Sequence, residues 1–460
     1  MFKKSILKTQ LAAGAGSLLP FLTTFAISIV VAGPLSAQPP ASSAPPSPGA
    51  APTAAEARVE ELERRVRELS ARVVELESAG VKAPENPAAH EDPRDTRQAP
   101  VLETPTPPRE EPSTVSQTGP ISGYMDFHLN RPEHEDPQLD FHRFVLLFNH
   151  SFSDRLRFIG ELELEHGLVE GLRESGELEL EQAYLDFRIN PAFNLRAGML
   201  LAPVGIINER HEPPSFHGVE RPFVDTFIIP STWFDAGAGI HGTFGAGWQY
   251  RAYLMAPLDA TRITAEEGLA EARQKGFRSN VRNIAQTARL EYGGVPGLTL
   301  GTSFWRGQTG FNFRREESRV GLVEFDGRYH GGRFAIRGEF AQVFIDGADG
   351  LNDLLQRTAG VNPNIARQMR GFYVEPSVRP LPVLRYDVAA FVRYENFDTQ
   401  FRMPEGVLAL KQFDRAAWVV GASYFPDPDI VLKIDYSVIR NRSSLFGSVD
   451  SANIGLGWWF

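Results

Sequence analysis

The chain has 460 residues, no cysteine, 42 % hydrophobic residues and a formal charge of −10. Without cysteine there is no disulfide scaffold, thiolate metal site, cysteine nucleophile or lipidated N-terminal cysteine, and the acidic balance argues against nucleic acid as a partner. Moderate hydrophobicity with slightly negative mean hydropathy is wrong for a helical membrane protein but suits strands that are apolar on one side only.

Residues 1–37 read as an export signal. Lys3, Lys4 and Lys8 form a basic start, Leu18 to Val31 an apolar stretch, and Leu35-Ser36-Ala37 a cleavage site before Gln38. Pro20 and Gly33 interrupt the apolar run, so cleavage is expected rather than a retained transmembrane helix. Residues 38–52 form a Pro/Ala/Ser tract too poor in large apolar groups to fold.

A short coiled-coil helix is predicted over 53–80. Thr53 and Glu56 have capping-box spacing, and Gly80 stands where a C-terminal cap belongs. Val59, Leu62, Val66, Leu69, Val73 and Leu76 recur at steps of three and four, a seam with Val at a and Leu at d. In a parallel pair, Arg58 and Arg72 would face Glu63 and Glu77 of the neighbour. This pattern nominally favours dimers, although an attached barrel could impose another number; a solvated amphipathic helix is the alternative. Residues 81–119, rich in Pro, Glu, Thr and Arg, read as an extended tether too irregular for a catalytic domain.

From Ile121 onward, strict alternation takes over. Gly123, Met125, Phe127 and Leu129 oppose Ser122, Asp126 and His128; Leu156, Phe158, Leu162 and Leu164 oppose Arg157, Glu161 and Glu163; Ile430, Leu432, Ile434 and Tyr436 oppose Lys433, Asp435 and Ser437. Such segments match the roughly nine to eleven residues that cross a bilayer at a tilt. One face needs water and the other apolar cover, which a polar lumen inside a lipid-facing wall supplies. Seven short turns alternate with eight longer polar connections, which predicts a transmembrane antiparallel β-barrel of about 16 strands over 120–460, with 14 or 18 as alternatives. An even count puts both barrel ends, and the coil, in the periplasm. The last strand carries Ile454, Leu456, Trp458 and Phe460 on one face; an apolar strand with a terminal Phe resembles the signal that outer-membrane proteins present to the barrel assembly machinery.

Gln182 to Phe187, Leu195 to Met199 followed by Ala202-Pro203-Val204-Gly205, and Arg393 to Asp398 resemble, in that order, the phosphate-selective porin (porin O and P) family, as does the run from Val420 to Tyr436. The similarity covers roughly Ile121 to Phe460. It implies a homotrimeric 16-stranded channel in outer-membrane lipid, with an inward-folded third loop and anions or other small hydrophilic solutes as cargo.

Candidate pore-lining cations are Arg157, Arg188, Arg196, Arg251, Arg289, Arg337, Arg393 and Lys433, but Glu161, Glu163, Glu291, Glu339, Glu395 and Asp435 share their faces and can cancel much of their field. The third long connection, 202–232, is the candidate constriction; it carries Arg210 and Arg221 and is stiffened by Pro203, Pro213, Pro214, Pro222 and Pro230. An outward surface loop is the alternative. His128, His134, His142, His150 and His166 cluster early, near Glu133, Glu135 and Asp136, without a ligand spacing that defines a metal site. Ser215 and His217 stand two apart with no oxyanion motif, so no enzyme is expected, and neither a cofactor nor a metal. The expected function is an outer-membrane porin, a water-filled channel for passive diffusion, its preference for anions or phosphate left open. The alternative is a barrel that anchors the outer membrane to the periplasm through its coil.

Overall fold

Period-two alternation over many consecutive segments leaves every strand with an edge to satisfy, and closure removes the edges altogether. The structure, a computed structural model, describes residues 120–166, 176–309, 318–360, 363–380 and 386–460, together with Arg64. The signal segment, the Pro/Ala/Ser tract, the coiled coil (Arg64 apart) and the tether lie outside the described residues.

Sixteen antiparallel strands form one closed barrel in sequence order. The first half comprises β1 (Ile121–Pro132), β2 (Gln138–Ser151), β3 (Leu156–Glu165), β4 (Leu178–Asn190), β5 (Phe193–Leu201), β6 (Phe234–Phe244), β7 (Trp248–Met255) and β8 (Ala285–Val295). The second comprises β9 (Leu298–Gln308), β10 (Arg319–Gly331), β11 (Phe334–Asp346), β12 (Gln368–Val378), β13 (Val388–Arg402), β14 (Asp414–Asp427), β15 (Ile430–Asn441) and β16 (Val449–Trp459). Short turns such as 245–247 and 332–333 gather at one end and long connections such as 202–233 and 256–284 at the other. The strand count and the alternation of connections agree with the sequence reading.

The outer face is apolar. Leu185, Phe304, Val420 and Ile434 are exposed there, while their neighbours Asp186, Ser303, Val419 and Asp435 turn inward and are buried. Phe193, Phe244, Trp248, Tyr292, Tyr329 and Phe334 lie near the short-turn end, where an aromatic girdle belongs. No described helix is long and apolar enough to cross a bilayer; strands with this outer face can.

The seam joins β1 to β16 over nine paired positions, from Tyr124 opposite Trp459 to Pro132 opposite Ser451. Beyond it, Gly123 and Phe460 exchange both backbone hydrogen bonds at 2.9 Å, and the Phe460 ring stacks on Phe144 at 5.7 Å. Gly123 must lack a Cβ, which would lie 2.6 Å from the Phe460 ring. Replacing Phe460 with Asp puts a charge on the lipid side of this closure, and the yield of heat-modifiable, protease-resistant barrel is expected to fall severalfold. Equal yields of folded wild type and variant on cold-loaded gels would contradict this account of the seam.

Candidate functional site

The connection 202–233 folds into the barrel. Its prolines restrict the backbone, a 3-10 turn forms at Pro213–Ser215 and a one-turn helix at Val224–Phe227. From there it reaches nearly the whole circumference of the wall. On β1, His128 Nδ1 lies 3.1 Å from Glu220, and Asn130 donates to the same carboxylate at 3.1 Å. On β7, Arg251 Nε meets Glu209 at 3.0 Å. On β11, Arg337 donates to the Ser215 carbonyl at 3.2 Å. On β12, His217 Nδ1 lies 2.7 Å from Glu375. On β13, Glu395 accepts the Val224 N–H at 3.0 Å. On β15, Lys433 donates to the carbonyls of Phe216 and Gly218, both at 2.7 Å, and Asp435 accepts the Val219 N–H at 2.6 Å. On β16, a Cβ at Gly457 would meet Pro213 at 2.7 Å, so only glycine lets the loop come this close.

Side chains on the inner wall are therefore sealed from water along much of its height: Arg393 is 1 % exposed, and Glu375, Glu395 and Glu324 are no more so. Many charges that alternation puts on the inner face therefore meet the loop or each other. Arg393 bridges Glu375 at 3.1 Å and Glu395 at 2.7 Å. Arg289 holds Asp326 at 2.6 Å and Glu324 at 3.1 Å.

Towards the long-loop end the interior is apolar. Val320, Leu322, Val343, Ile345 and Met369 turn inward from the wall and pack with Ile207, Ile228 and Ile229 of the third connection and Leu258, Ile263 and Leu269 of 256–284. Each such burial stabilises by about 1.5–3 kcal/mol. Strict alternation did not anticipate this belt. Its signal is the lapse of alternation at strand ends, as in Val343-Phe344-Ile345 and Leu322-Val323.

The sequence-predicted cations divide into three groups. Arg289, Arg337, Arg393 and Lys433 are buried in the sealed network. Arg157, Arg196 and Arg251 are half-buried and Arg188 is exposed, all on β3 to β7 nearer the short-turn end. There a polar cavity of about 190 Å³ is lined by Asn194, Arg196, Glu209, His241 and Arg251 among others. Arg196 donates to Asp186 at 3.2 Å, and Arg188 lies 3.6 Å from the same carboxylate. Arg210 and Arg221 sit half-buried on the loop, Arg221 donating to the His211 carbonyl at 3.2 Å. Ser215 donates its hydroxyl to the carbonyls of Arg210 and Glu212, while His217 is engaged by Glu375. The two therefore form no nucleophile and base pair.

His211 is the loop's anchor on β3 and β4. Its Nδ1 lies 3.0 Å from the Asn208 carbonyl, and its Nε2 lies 3.1 Å from Glu181 and 3.5 Å from Glu161. With a carbonyl at Nδ1 and two carboxylates at ion-pair distance from Nε2, the surroundings favour the imidazolium. Burial works against that charge, but the Glu181 carboxylate, with Glu161, holds the His211 pKa well above the ordinary 6.5. On the one-turn helix, burial and then the Glu395 carboxylate push the Asp225 pKa well above the usual carboxylate range.

The architecture defines the class: a 16-stranded barrel of the outer-membrane type, with an internal loop. DcaP, an outer-membrane channel of Acinetobacter baumannii, superposes with a TM-score of 0.51 at 12 % identity over 74 % of this chain and 96 % of its own. OmpF of Salmonella typhi, solved with daunomycin, gives 0.50 at 12 % identity over 74 % and 97 %. These likenesses establish the fold as one of bacterial outer-membrane proteins. No family model matches the chain. A protein of Aquifex aeolicus (strain VF5), described as uncharacterized, is 31 % identical over 334 residues, 69 % of this chain and 74 % of that protein, and the chain belongs to its family.

Replacing His211 with Gln leaves Glu161 and Glu181 buried without their counter-ion, at a cost of about 3–5 kcal/mol to loop docking. Hydrogen exchange of 205–221 should accelerate in this variant with the barrel strands still protected. Because the folded pKa of His211 lies above its unfolded value, its contribution is complete below pH 6.5 and lost as pH rises through the raised value. Wild-type loop protection should therefore weaken at alkaline pH, and a variant whose loop exchanges like wild type at pH 7 would contradict the anchor.

Proposed function

We propose that the chain is an outer-membrane channel for passive movement of small hydrophilic solutes, restricted by its third connection. The observation that carries this reading is the loop itself, held inside the lumen instead of splayed outward, where its charges act on anything that enters. The half-buried sector of β3 to β7 is the path this reading assigns to solutes. There Arg157, Arg188, Arg196 and Arg251 stand on the wall and Arg210 on the loop, with Arg188 and Arg196 beside Asp186 and Arg251 beside Glu209 and Glu291 of β8, a mixed-charge path whose arginines are the groups an anion would meet. Phosphate preference rests on the resemblance to the porin O and P family alone. Catalysis is no part of this reading. A homo-oligomer, trimeric by that resemblance, with the coil on the periplasmic side and insertion through the barrel assembly machinery, completes it.

The sealed mid-section favours a second reading, a closed barrel serving as an outer-membrane anchor. Single-channel recording in a planar bilayer separates the two. Discrete conductance steps support the channel; a silent but folded barrel supports the anchor. In a tenfold salt gradient, replacing Arg157 and Arg196 together with Gln should move the reversal potential towards cations by a measurable part of the roughly 59 mV limit, while Arg155→Gln on an exposed turn should not. A reversal potential indifferent to the pair would place the filter elsewhere.

A further inference from the structure

Folding brings three of the scattered histidines together at the long-loop rim of β1 to β3. The His128 and His142 rings stack at 4.3 Å, and the His142 and His166 rings meet edge-on at 5.6 Å. His134, with its side chain 64 % exposed, lies 3.6 Å from Glu133 and in neither of the triads the others form. Carboxylates interleave with these imidazoles in two overlapping triads, Asp126–His128–His142 and Asp140–His142–His166, whose donor atoms lie within 4.8 Å of one another in each set.

The inner triad is already satisfied. His128 has Asp126 at 2.9 Å on Nε2 and Glu220 at 3.1 Å on Nδ1, and the Arg143 guanidinium lies 3.4 Å from Asp126. Acceptors on both nitrogens require the imidazolium, which leaves His128 no lone pair for an ion.

The outer triad differs. Asp140 faces inward from β2, and a shift of the β1–β2 register leaves His142 as an extra residue between Phe141 and Arg143, turned to the same side. His166 follows β3 in a left-handed conformation, φ 58°, with its N–H bonded to the His142 carbonyl at 2.9 Å. That uncommon backbone carries its imidazole over Asp140, with Nδ1 2.7 Å from Oδ2; His142 Nδ1 lies 3.7 Å from the same oxygen. All three are solvent-accessible, with side-chain exposures of 32, 16 and 38 %.

We infer that Asp140, His142 and His166 bind a divalent first-row transition ion, of which Zn²⁺ is the probe, at the rim of the lumen. Two imidazoles and a carboxylate are the donor set such ions prefer, and a three-ligand site open to solvent leaves a position for water. The second nitrogen of His142, Nε2, lies against the Arg143 guanidinium, with Glu165 Oε1 4.0 Å away. An ion at Nδ1 puts the ring proton on Nε2, so binding displaces Arg143 from the ring and leaves Glu165 as the carboxylate that proton can turn to.

Tag-free, full-length barrel folded in detergent micelles and titrated with ZnCl₂ by calorimetry should bind a single ion saturably at micromolar concentrations. His142→Gln, Asp140→Asn and His166→Ala should each weaken it about tenfold or more, while His134→Ala leaves it unchanged. His166 lies just beyond β3, so its variant should retain heat-modifiable folding. Co²⁺ bound to wild type should show visible bands of a nitrogen- and oxygen-ligated ion that His166→Ala removes. Saturable binding that survives the His142→Gln/His166→Ala double change, or no saturation up to millimolar Zn²⁺, would overturn the site. Loss on His128→Gln but not on His166→Ala would overturn its placement.

Discussion

Charge in a low-dielectric interior is the constraint on which the rest of this barrel depends. A wall carrying Arg393, Glu375, Glu395, Arg289, Glu324 and Lys433 is stable only if water or countercharge reaches each group. The third connection excludes water from much of the wall and supplies partners of its own: carbonyls for Lys433, N–H groups for Glu395 and Asp435, and the His211 imidazolium for Glu181. Removing the loop would return those charges to solvent; removing one charge would leave its partner stranded. Loop and wall are thus mutually dependent, and the inward placement of the loop is a consequence of charge matching as much as of proline stiffness.

The same constraint divides the interior. From β9 to β15 many inner-wall charges are buried and held by ion pairs or by backbone groups of the loop, and an apolar belt closes the wall towards the long-loop end. On β3 to β7 near the short-turn end, Arg157, Arg196 and Arg251 keep part of their exposure, and Arg196, Arg251 and His241 border a polar cavity. Any solute path is drawn by this asymmetry to one side of the lumen. The His142 cluster sits on that side too, at the long-loop rim, and reaches the loop through His128 and Glu220.

The barrel was legible because period-two alternation and the spacing of turns are local signals, and lipid on one side enforces them in every strand. The inward loop was legible as a candidate through its prolines and charges. What alternation hid were positions where the inner face meets protein instead of water. Leu322-Val323 and Val343-Phe344-Ile345 lose their polar partners because 202–233 and 256–284 cover the inner face. The pairing of each arginine was equally hidden, since Arg393 finds Glu375 across strands and Arg337 finds a loop carbonyl more than a hundred positions away. His128, His142 and His166 come together through the β1–β2 and β2–β3 registers, whereas the acidic residues beside them in sequence, Glu133, Glu135 and Asp136, form no part of either triad.

The central claim is that 202–233 is fastened across the lumen, against strands far from its own ends. The natural absence of cysteine makes this directly measurable. A Cβ at Gly455 on β16 would lie 3.3 Å from the Val219 side chain, within reach of a disulfide. In the Val219→Cys/Gly455→Cys variant, mild oxidation of the folded barrel should form an intramolecular cross-link nearly to completion. It should protect both thiols from maleimide and be seen as a reduction-sensitive shift on denaturing gels. Two free thiols that react as readily as an exposed cysteine at Leu445 would mean that the loop does not rest on the far wall, and would contradict the account.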